Sequence, residues 1–573
     1  MSNSLHQISK WLERHHRRFV PAAILAFVLL ITGLWLPFHW GKYGSLDHSL
    51  TYTSYEAIRL LVFKYGQFPL YLQNINGGLD LWADPQSMTF GIFNVFPLLF
   101  GAILGHKMAL LSAYILGMTF AYKLSQNIYT DKTVALLLAL TYGSLGYFAH
   151  HTIEAGHSNF LYFHLLPLLG YAIHQQYTKG LSWRNIVILL FVYSQMILGG
   201  ALPMLMITLC CLIPLLLAST WPKFKFTLFH AGLGIGSMLL LGIKIYPFFE
   251  VFGGSPRVFH DVAGINLQEL FLAFTDAKPY TKSQSVTYHG WWEHGIGIGL
   301  IVPLLALYFL PKLKNWKFIL FVLIIITWVG MGNSPKYANP WYLANTYLPV
   351  FENFRAPYRF LIGTALALIF LIPFGLKKST IPTKYILLGL LISLGYNTAN
   401  VLAISKSLTT STKVSDIEKN YRNKKLQKVT EPIPISPELE PIQYLLLAND
   451  QRLINTNYPL LDDVKHEPNA PFVSGAKIQE NNQTKLVLVA QKDQIETGLT
   501  YSKYWNCTGG TTLNDNGKLS IYAAEGEGRV IQLTYKPTYW KNAIAISVVG
   551  FVFLMALIFW GYKTKLTEDA LSN

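Results

Sequence analysis

The sequence predicts a polytopic α-helical membrane protein with a C-terminal extracytoplasmic β-sandwich-like domain and a final anchoring helix. Of the 573 residues, 52% are hydrophobic and only 13% are charged, whereas soluble proteins carry about 25% charged residues. Apolar runs of about 20 residues, the length that crosses a bilayer, recur along most of the chain. Between 405 and 540 the pattern changes to a charged, proline-containing stretch followed by strand-like runs.

Hydropathy predicts a series of apolar segments, and about twelve of them are expected to span the membrane. Their approximate bounds are 19–38, 88–105, 107–125, 133–149, 159–176, 185–200, 203–220, 227–249, 294–310, 316–332, 360–376, 385–404 and 541–562. The first follows a basic amino-terminal stretch, 1–18, without a small-residue cleavage site. It is therefore interpreted as a retained helix rather than a signal peptide.

The positions of Lys and Arg predict the topology. If 88–105 lies in the membrane interface instead of crossing, the amino terminus, the tail 563–573 and five short loops hold 18 Lys/Arg in 67 residues. The loops on the other face, outside the 405–540 domain, are longer and hold fewer. The positive-inside rule then favours a transmembrane domain over 19–404 with both termini cytoplasmic. The net charge of +16 follows from these short loops and does not indicate a nucleic-acid partner.

The outer face then receives the first loop, 39–87, and the 405–540 domain. The domain contains three strand-like runs, Lys485–Ala490, Lys518–Tyr522 and Arg529–Tyr535, separated by Gly- and Asn-containing turns. Such runs predict a small β-sandwich. The last apolar segment, 541–562, is expected to anchor it.

Asp47 is the first candidate for chemistry, because it follows the first helix by a few residues. A carboxylate there can act as a general base on an acceptor hydroxyl or bind a metal. The alternative is that Asp47 caps a helix, since Tyr52–Tyr65 is amphipathic.

A second candidate is the polar, glycine-rich stretch Asn76–Ser87. The pair Gly77 and Gly78 permits close approach of the backbone to another group. Asp84 precedes a proline, a pattern typical of a turn or a helix cap, so its role is either substrate binding or local structure.

Titratable residues are dense at the predicted outer turn, where His150, His151, Glu154 and His157 occur within eight positions. Helical spacing would place His150, Glu154 and His157 on one face. Metal binding is one interpretation, and ordinary interfacial polar residues are the favoured one.

Arg355 and Arg359 lie at the mouth of the predicted helix 360–376. Two outer-leaflet arginines can hold a lipid phosphate in bidentate fashion. Placing one Arg in hydrocarbon costs about 2.5–3.5 kcal/mol on insertion scales, so two at one helix start require a reason. The alternative is snorkelling to the lipid headgroups.

Several segments together resemble YfhO-type bacterial membrane proteins, which belong to the GT-C superfamily of polytopic glycosyltransferases. The segments that carry the resemblance are Phe68–Tyr71, Asn76–Gln86, Phe96–Pro97, Phe354–Phe360, Gly498–Trp505 and Leu533–Pro537. They are similar to that family's first outer loop, its Arg-x-Pro-x-Arg motif, its β-rich outer domain and its final anchor. The resemblance covers nearly the whole chain in order. The acidic residue followed by Gln and Pro that the family often has is Asp47-His48-Ser49 here.

The resemblance implies a GT-C-like fold and transfer of a sugar from a polyprenyl-phosphate carrier at the outer face. It assigns the catalytic carboxylate to Asp47 and phosphate binding to Arg355 and Arg359. It also maps the Gly-Gly…Asp-Pro segment onto Gly77, Gly78 and Asp84. We add His157 to the predicted substrate-binding residues.

The predicted function is a glycosyltransferase of the bacterial inner (cytoplasmic) membrane with its active site on the extracytoplasmic face. The expected partners are the polyprenyl-phosphate-linked sugar donor, an envelope glycan or lipid acceptor, and the bilayer. The alternatives are a lipid-linked sugar flippase or transporter and a non-catalytic envelope assembly protein. The motifs specify no cofactor and no metal ligands, and dependence on a divalent metal is open.

Overall fold

A computed structural model describes most of the chain, with side chains from Arg14 onward. The described residues are 2–35, 39–40, 42, 44, 47–75, 78–84, 87–200, 224–252, 264–275, 293–332, 339–347, 356–410, 413, 415–416, 419, 433–434, 453–454, 473–515, 518–523 and 528–564. Three predictions, on Gly77, on Arg355 and on the apolar segment 203–220, lie outside these residues.

Helices dominate the described chain up to residue 410. The α-helices are α1 Ser2–Thr32, α2 His48–Arg59, α3 Val95–Phe100, α4 Ala102–Ile128, α5 Lys132–Gly143, α6 Gly146–Phe148, α7 Leu166–Lys179, α8 Trp183–Leu198, α9 Phe224–Leu240, α10 Gly242–Phe252, α11 Leu267–Thr275, α12 Ile301–Phe309, α13 Trp316–Gly330, α14 Pro340–Tyr347, α15 Leu361–Leu376, α16 Thr383–Thr410 and α17 Trp540–Lys563. Two π-helical segments, Leu60–Lys64 and Ala149–Glu154, continue α2 and α6. Short 3₁₀ turns are Ile92–Asn94, Ser158–Leu165, Leu310–Lys312 and Pro357–Phe360.

Six helices in the described part of the chain are long and apolar enough to cross a membrane. They are Arg14–Thr32, Ala102–Ile128, Lys132–Glu154, Pro357–Leu376, Thr383–Lys406 and Trp540–Lys563. The pair α9 and α10 makes a seventh span if counted as one, bent by 64° at its break. These helices and the C-terminal sheets agree with the predicted helical membrane class, while the number twelve stays a prediction.

The segment 88–105 is divided by Gly101, which has a φ of +85° and separates α3 from α4. Helix α3 has six residues and is therefore about 9 Å long, far short of the ~30 Å hydrocarbon core. Within 88–105, only the beginning of α4 belongs to a candidate span. The interfacial position of the segment stays a prediction.

Two charged side chains of α2 bind the helix ends on either side of Gly101. Glu56 accepts a hydrogen bond from Ala102 N, at the start of α4, over 3.2 Å. Arg59 donates to the Pro97 carbonyl at the end of α3 over 3.1 Å and is paired with Glu56. The acidic group thus lies at the positive end of the α4 dipole and the basic group at the negative end of the α3 dipole. Both contacts join α2 to these helices.

The C-terminal region contains two four-stranded sheets with a common core. Two further sheets have two strands each, β1 Tyr71–Leu72 with β2 Leu79–Asp80 in the loop after α1, and β3 Ile433–Pro434 with β4 Leu453–Ile454. The strands of the four-stranded sheets are β5 Val473–Ser474, β6 Ala476–Asn482, β7 Lys485–Ala490, β8 Gln494–Thr500, β9 Trp505–Thr508, β10 Thr511–Asp515, β11 Lys518–Tyr522 and β12 Val530–Tyr535. The sheet orders are β10-β11-β8-β5 and β6-β7-β12-β9. Alternating residues such as Leu486, Leu488, Ile531 and Leu533 are fully buried, as expected when two sheets pack face to face.

The loop 39–87, called the first outer loop after its predicted position, contributes to the same core as this β domain. Tyr71 stacks on Tyr535 with ring centroids 4.1 Å apart and meets Trp505 edge to face at 5.4 Å. Trp82 joins the same apolar cluster. The β domain therefore packs directly on the loop that joins α1 and α4.

Candidate functional site

Asp47 lies at the first turn of α2, in the N-cap position, with φ −75° and ψ 7°. Its carboxylate makes no capping hydrogen bond to the described backbone of that turn. Instead, Asp47 Oδ2 accepts a hydrogen bond from His157 Nε2 over 2.8 Å. The Asp47 side chain is 49% exposed and that of His157 is 13% exposed. The structure thus gives Asp47 a directed partner and leaves its carboxylate accessible.

The loop that carries His157 is fixed against α2 by close packing. Gly156 has a φ of +78°, and a Cβ there would lie 2.6 Å from His48 Cγ. Thr51 Oγ1 donates to the Gly156 carbonyl over 2.7 Å. Only glycine combines this backbone conformation with this contact. The packing of Gly156 against His48 therefore sets the distance between His157 and Asp47.

His157 is in turn bound by His151, which belongs to the π-helical segment Ala149–Glu154. The two Nδ1 atoms are 3.2 Å apart. A carboxylate only accepts hydrogen bonds, so His157 Nε2 carries a proton; in the neutral ring its Nδ1 then accepts from His151 Nδ1–H. The His151 ring is fully buried and stacks on Phe160 with centroids 3.9 Å apart.

Arg359 also lies against Phe160, in a bidentate ion pair. Its Nε and Nη2 donate to Glu293 over 2.8 and 2.6 Å, and its guanidinium carbon is 5.2 Å from the Phe160 ring centroid. Burial opposes ionisation of Glu293, but the Arg359 guanidinium outweighs it and holds the pKa of Glu293 well below its usual range. The positive charge of Arg359 is therefore compensated within the protein.

The structure separates the residues of the predicted histidine face into two pairs. His150 Nδ1 is 2.5 Å from Glu154 Oε2, whereas His157 points to Asp47. The difference arises because the backbone between them is π-helical up to Glu154 and then turns at Gly156. π-Helical turns inside longer helices are frequently found at functional sites.

Gly78 lies in a tight turn of the first outer loop, with a φ of +139°. A Cβ at this position would lie 1.6 Å from the Tyr71 hydroxyl oxygen. The close approach that the glycine pair predicted is therefore made to a tyrosine of the same loop, next to the β domain.

Asp84 is buried, with 1% of its surface exposed. Lys244, next to the break between α9 and α10, donates to the Trp82 and Asp84 carbonyls over 2.6 and 3.0 Å. Trp82 Nε1 donates to the Ile243 carbonyl over 2.7 Å. The structure therefore groups Asp84 with the bent helix pair, and Asp47 with His157.

Asp80 has a structural position that sequence reasoning missed. Its Oδ2 accepts hydrogen bonds from the hydroxyls of Tyr535 and Tyr539 over 2.9 and 3.0 Å, and its Oδ1 from Ala83 N over 2.8 Å. Burial raises the pKa of Asp80 to about 6, against the opposing effects of these hydrogen bonds and of Lys244. Nothing in the sequence links Asp80 to tyrosines more than 450 positions away.

Amide side chains complete the contact between the loop and the β domain. Gln483 Oε1 accepts from Gln73 N over 2.6 Å, and Gln483 Nε2 donates to Asn74 Oδ1 over 2.7 Å. Gln73 Nε2 donates to the Asn482 carbonyl over 2.7 Å. The turn between β6 and β7 is thereby bonded to the first outer loop.

The described residues offer acid–base chemistry at Asp47 and no ready metal centre. No group of three His, Cys, Asp or Glu side chains in the described part of the chain is placed to hold a metal ion. Of the predicted site residues, Asp47 and His157 are brought together, Arg359 is linked to them through Phe160 and His151, and Gly78 and Asp84 lie at the β-domain contact.

Neither a known family model nor a curated protein matches this chain, so membership of the YfhO-type family stays a prediction. Among solved structures, the chain is similar to the Archaeoglobus fulgidus oligosaccharyltransferase in its apo form, with 12% identity, a TM-score of 0.44 and coverage of 78% of this chain and 66% of that one. It is similar to AglB from the same organism in complex with an inhibitory peptide and a dolichol-phosphate, with 11% identity, a TM-score of 0.45 and coverage of 78% and 65%.

The chain is also similar to ArnT from Cupriavidus metallidurans bound to undecaprenyl phosphate. The identity is 13%, the TM-score is 0.47, and the match covers 89% of this chain and 98% of that one. The chain spans slightly less than two thirds of the length of the two archaeal chains. Likenesses of this size do not define an activity for this protein.

Proposed function

We propose that this protein is a membrane glycosyltransferase that moves a sugar from a polyprenyl-phosphate carrier to an envelope glycan or lipid-linked acceptor, on the extracytoplasmic face of the bacterial inner membrane. The observation that carries the proposal is the Asp47–His157 pair: an accessible carboxylate, held by a histidine, at the start of the first helix after α1. The sequence resemblance to GT-C enzymes, which place their catalytic carboxylate in this loop, supports the same role.

In the proposed reaction, Asp47 removes the proton from the acceptor hydroxyl. The resulting oxygen attacks the anomeric carbon of the donor sugar, and the bond from that carbon to the phosphate oxygen breaks, which releases polyprenyl phosphate. His157 Nε2–H donates to Asp47 Oδ2, which fixes the orientation of the carboxylate. General-base catalysis of this kind contributes about 10²–10⁴-fold.

Arg355 and Arg359 are the proposed phosphate contacts. Glu293 takes two of the N–H groups of Arg359, out of the five that a guanidinium has. Within the described part of the chain, three N–H groups remain for a ligand, but the ion pair has little net charge. We therefore expect Arg355 to supply most of the positive charge and Arg359 to supply direction.

Asp84, Gly77 and Gly78 have a supporting role in this proposal. The burial of Asp84 beside Lys244 and the contact of Gly78 with Tyr71 favour fixing of the outer loop over direct contact with the sugar. We propose that these residues keep the loop in place while Asp47 acts.

The flippase alternative requires polar residues deep in several helices that serve a moving substrate. Three polar residues lie inside predicted apolar segments and could serve such a substrate, namely Lys244, Gln195 and His164. Each has a local contact instead. Lys244 binds two carbonyls, Gln195 Oε1 accepts from Ile92 N over 2.6 Å, and His164 Nδ1 is 3.1 Å from the Tyr142 hydroxyl. These contacts favour the enzyme over the transporter.

The test is transfer of radiolabelled sugar from defined polyprenyl-phosphate carriers in proteoliposomes. We expect wild type to transfer sugar and Asp47→Asn to lose about 10²–10⁴-fold in rate. The matched control is Asp493→Asn, which changes an exposed carboxylate of the β domain and should transfer normally. Equal rates for wild type and Asp47→Asn would move the base elsewhere, with Asp84 next. No transfer from any carrier by correctly inserted protein would overturn the proposed function.

A further inference from the structure

His151 is the one member of the contact chain around Asp47 for which the proposed reaction has no task. Its Nδ1 is 3.2 Å from His157 Nδ1, and His157 Nε2 is 2.8 Å from Asp47 Oδ2. The carboxylate fixes the proton on His157 Nε2, so in the neutral ring His157 Nδ1 accepts the proton of His151. The hydrogen bonds therefore run in one direction, from His151 through His157 to Asp47.

The packing around His151 fixes the plane of its ring. It stacks on Phe160 at a centroid distance of 3.9 Å and an interplanar angle of 13°, and the Tyr147 ring meets it at 4.5 Å and 61°. Its backbone lies in the π-helical segment Ala149–Glu154, not in a mobile loop. A ring held in this way offers its Nδ1 proton in a fixed direction.

Packing alone does not account for a histidine at this position. His151 is fully buried, and its Nε2 has no hydrogen-bond partner among the described residues. A phenylalanine would fill the same space without burying an unpaired polar atom. Among the described residues, the ring has one polar contact, the one to His157, so that contact is what the imidazole adds.

The ion pair of Glu293 and Arg359 lies close to the rings of these histidines and of Phe160. The buried Glu293 carboxylate interacts electrostatically with both His151 and His157, and Arg359, its ion-pair partner, lies over Phe160. Among the described residues, the charged and titratable groups around His151 are thus His157, Glu293 and Arg359, with His150 beside it on the same segment. The nearby negative and positive charges balance, so the pair of imidazoles serves orientation more than charge.

We infer that His151 is a positioning residue of this site: through its hydrogen bond it fixes the orientation of His157, in the tautomer that Asp47 selects, and His157 in turn aims the Asp47 carboxylate. This inference deepens the proposed function and rests on it for its meaning in catalysis. The structural part, coupling of His151 to Asp47, stands independently of which substrate the site takes.

Two variants separate orientation from packing. His151→Phe keeps a ring against Phe160 but removes both nitrogens, and His151→Asn keeps a donor near the position of Nδ1. The matched control is His230→Phe: His230 is buried, its ring lies 4.4 Å from that of Phe226, and its nitrogens have no partner among the described residues. It belongs to α9, outside the contact chain.

In the transfer assay, we expect His151→Phe to lower kcat by about 10-fold or more, as part of the general-base contribution, with the donor KM unchanged. We expect His151→Asn to restore kcat to within a few-fold of wild type, and His230→Phe to match wild type. An unchanged kcat in a folded His151→Phe protein, or an equal loss in both His151 variants, would overturn the positioning role.

The second measurement does not need activity. Carbodiimide labels protonated carboxyl groups, so the pH at which Asp47 labelling falls, measured by peptide mass spectrometry, reports its protonation. Loss of an oriented donor disfavours the carboxylate form, so the midpoint should move upward in His151→Phe, stay in place in His230→Phe, and return with His151→Asn. A shift without sugar transfer by wild type would refute the proposed function and keep the coupling; no shift would refute the coupling.

Discussion

Asp47 and Asp80 lie in the same loop, 39–87, and their carboxylates differ in solvent exposure and in hydrogen-bond partners. The Asp47 side chain is 49% exposed and has a histidine as its partner. Asp80 is 5% exposed and accepts three hydrogen bonds, two of them from tyrosines near the chain's end. One carboxylate is open to a substrate, and the other joins two parts of the protein.

The comparison shows that carboxylates in one glycine-rich loop need not share a function. Exposure leaves Asp47 able to exchange a proton with a bound hydroxyl. Burial between Tyr535 and Tyr539 leaves Asp80 no room for a ligand on the oxygen they share. The loop therefore combines a candidate site at one end with a domain contact at the other.

The largest expected effect is the difference between the two residues in their contribution to the free energy of unfolding. Asp80→Ala removes the acceptor for two buried hydroxyls and a nearby negative charge from Lys244, so we expect the free energy of unfolding to fall by about 3–5 kcal/mol. Asp47→Ala, at an exposed position, should cost less than about 1 kcal/mol. Chemical unfolding in detergent micelles measures both. Equal losses would break the division between site and domain contact.

The next effect is the contribution of Asp80 to the pH dependence of stability. Its pKa is raised from 3.8 to about 6 in the folded protein, so the folded state holds a proton that the unfolded state has already released between these values. The contribution of Asp80 to stability is therefore full below about pH 4 and falls as the pH rises to about 6, by about 3 kcal/mol. Unfolding midpoints from pH 4 to 7 measure it. In Asp80→Asn this part of the slope should vanish, and an unchanged slope would assign it to other groups.

The smallest effect tests the turn that leads to Asp80. Gly78→Ala forces a Cβ into the Tyr71 ring at a positive φ, which should cost about 2 kcal/mol. Gly66→Ala is the matched control, because Gly66 has a φ of +59° and open space around it, so only the backbone term of about 1 kcal/mol applies. Thermal unfolding of both variants measures the difference. If the two variants unfold alike, the contact with Tyr71 contributes nothing.

Local pattern predicted the classes of structure in this chain. Long apolar runs predicted the helices, and alternating residues such as Leu486 and Leu488 predicted strands with one buried face. Asp47 was selected by its position after the first apolar segment, which depends only on chain order.

Contacts between distant segments could not be predicted in the same way. The ion pair of Arg359 with Glu293 and the bonds of Asp80 to Tyr535 join segments whose approach depends on helix packing. The division of His150 and His157 between two partners depends on a π-helical turn, a shift of backbone hydrogen bonds that side-chain spacing does not encode. For that reason the sequence identified the histidines but not their pairing.

The contact between Gln73 and Gln483 has a consequence for biosynthesis. The two residues are 410 positions apart, and ribosomes add about 5–20 residues per second. The loop 39–87 is therefore synthesised roughly 20–80 seconds before the domain that covers it has been made. During that interval Tyr71 and Trp82 lack the apolar contacts with the β domain that bury them in the folded protein.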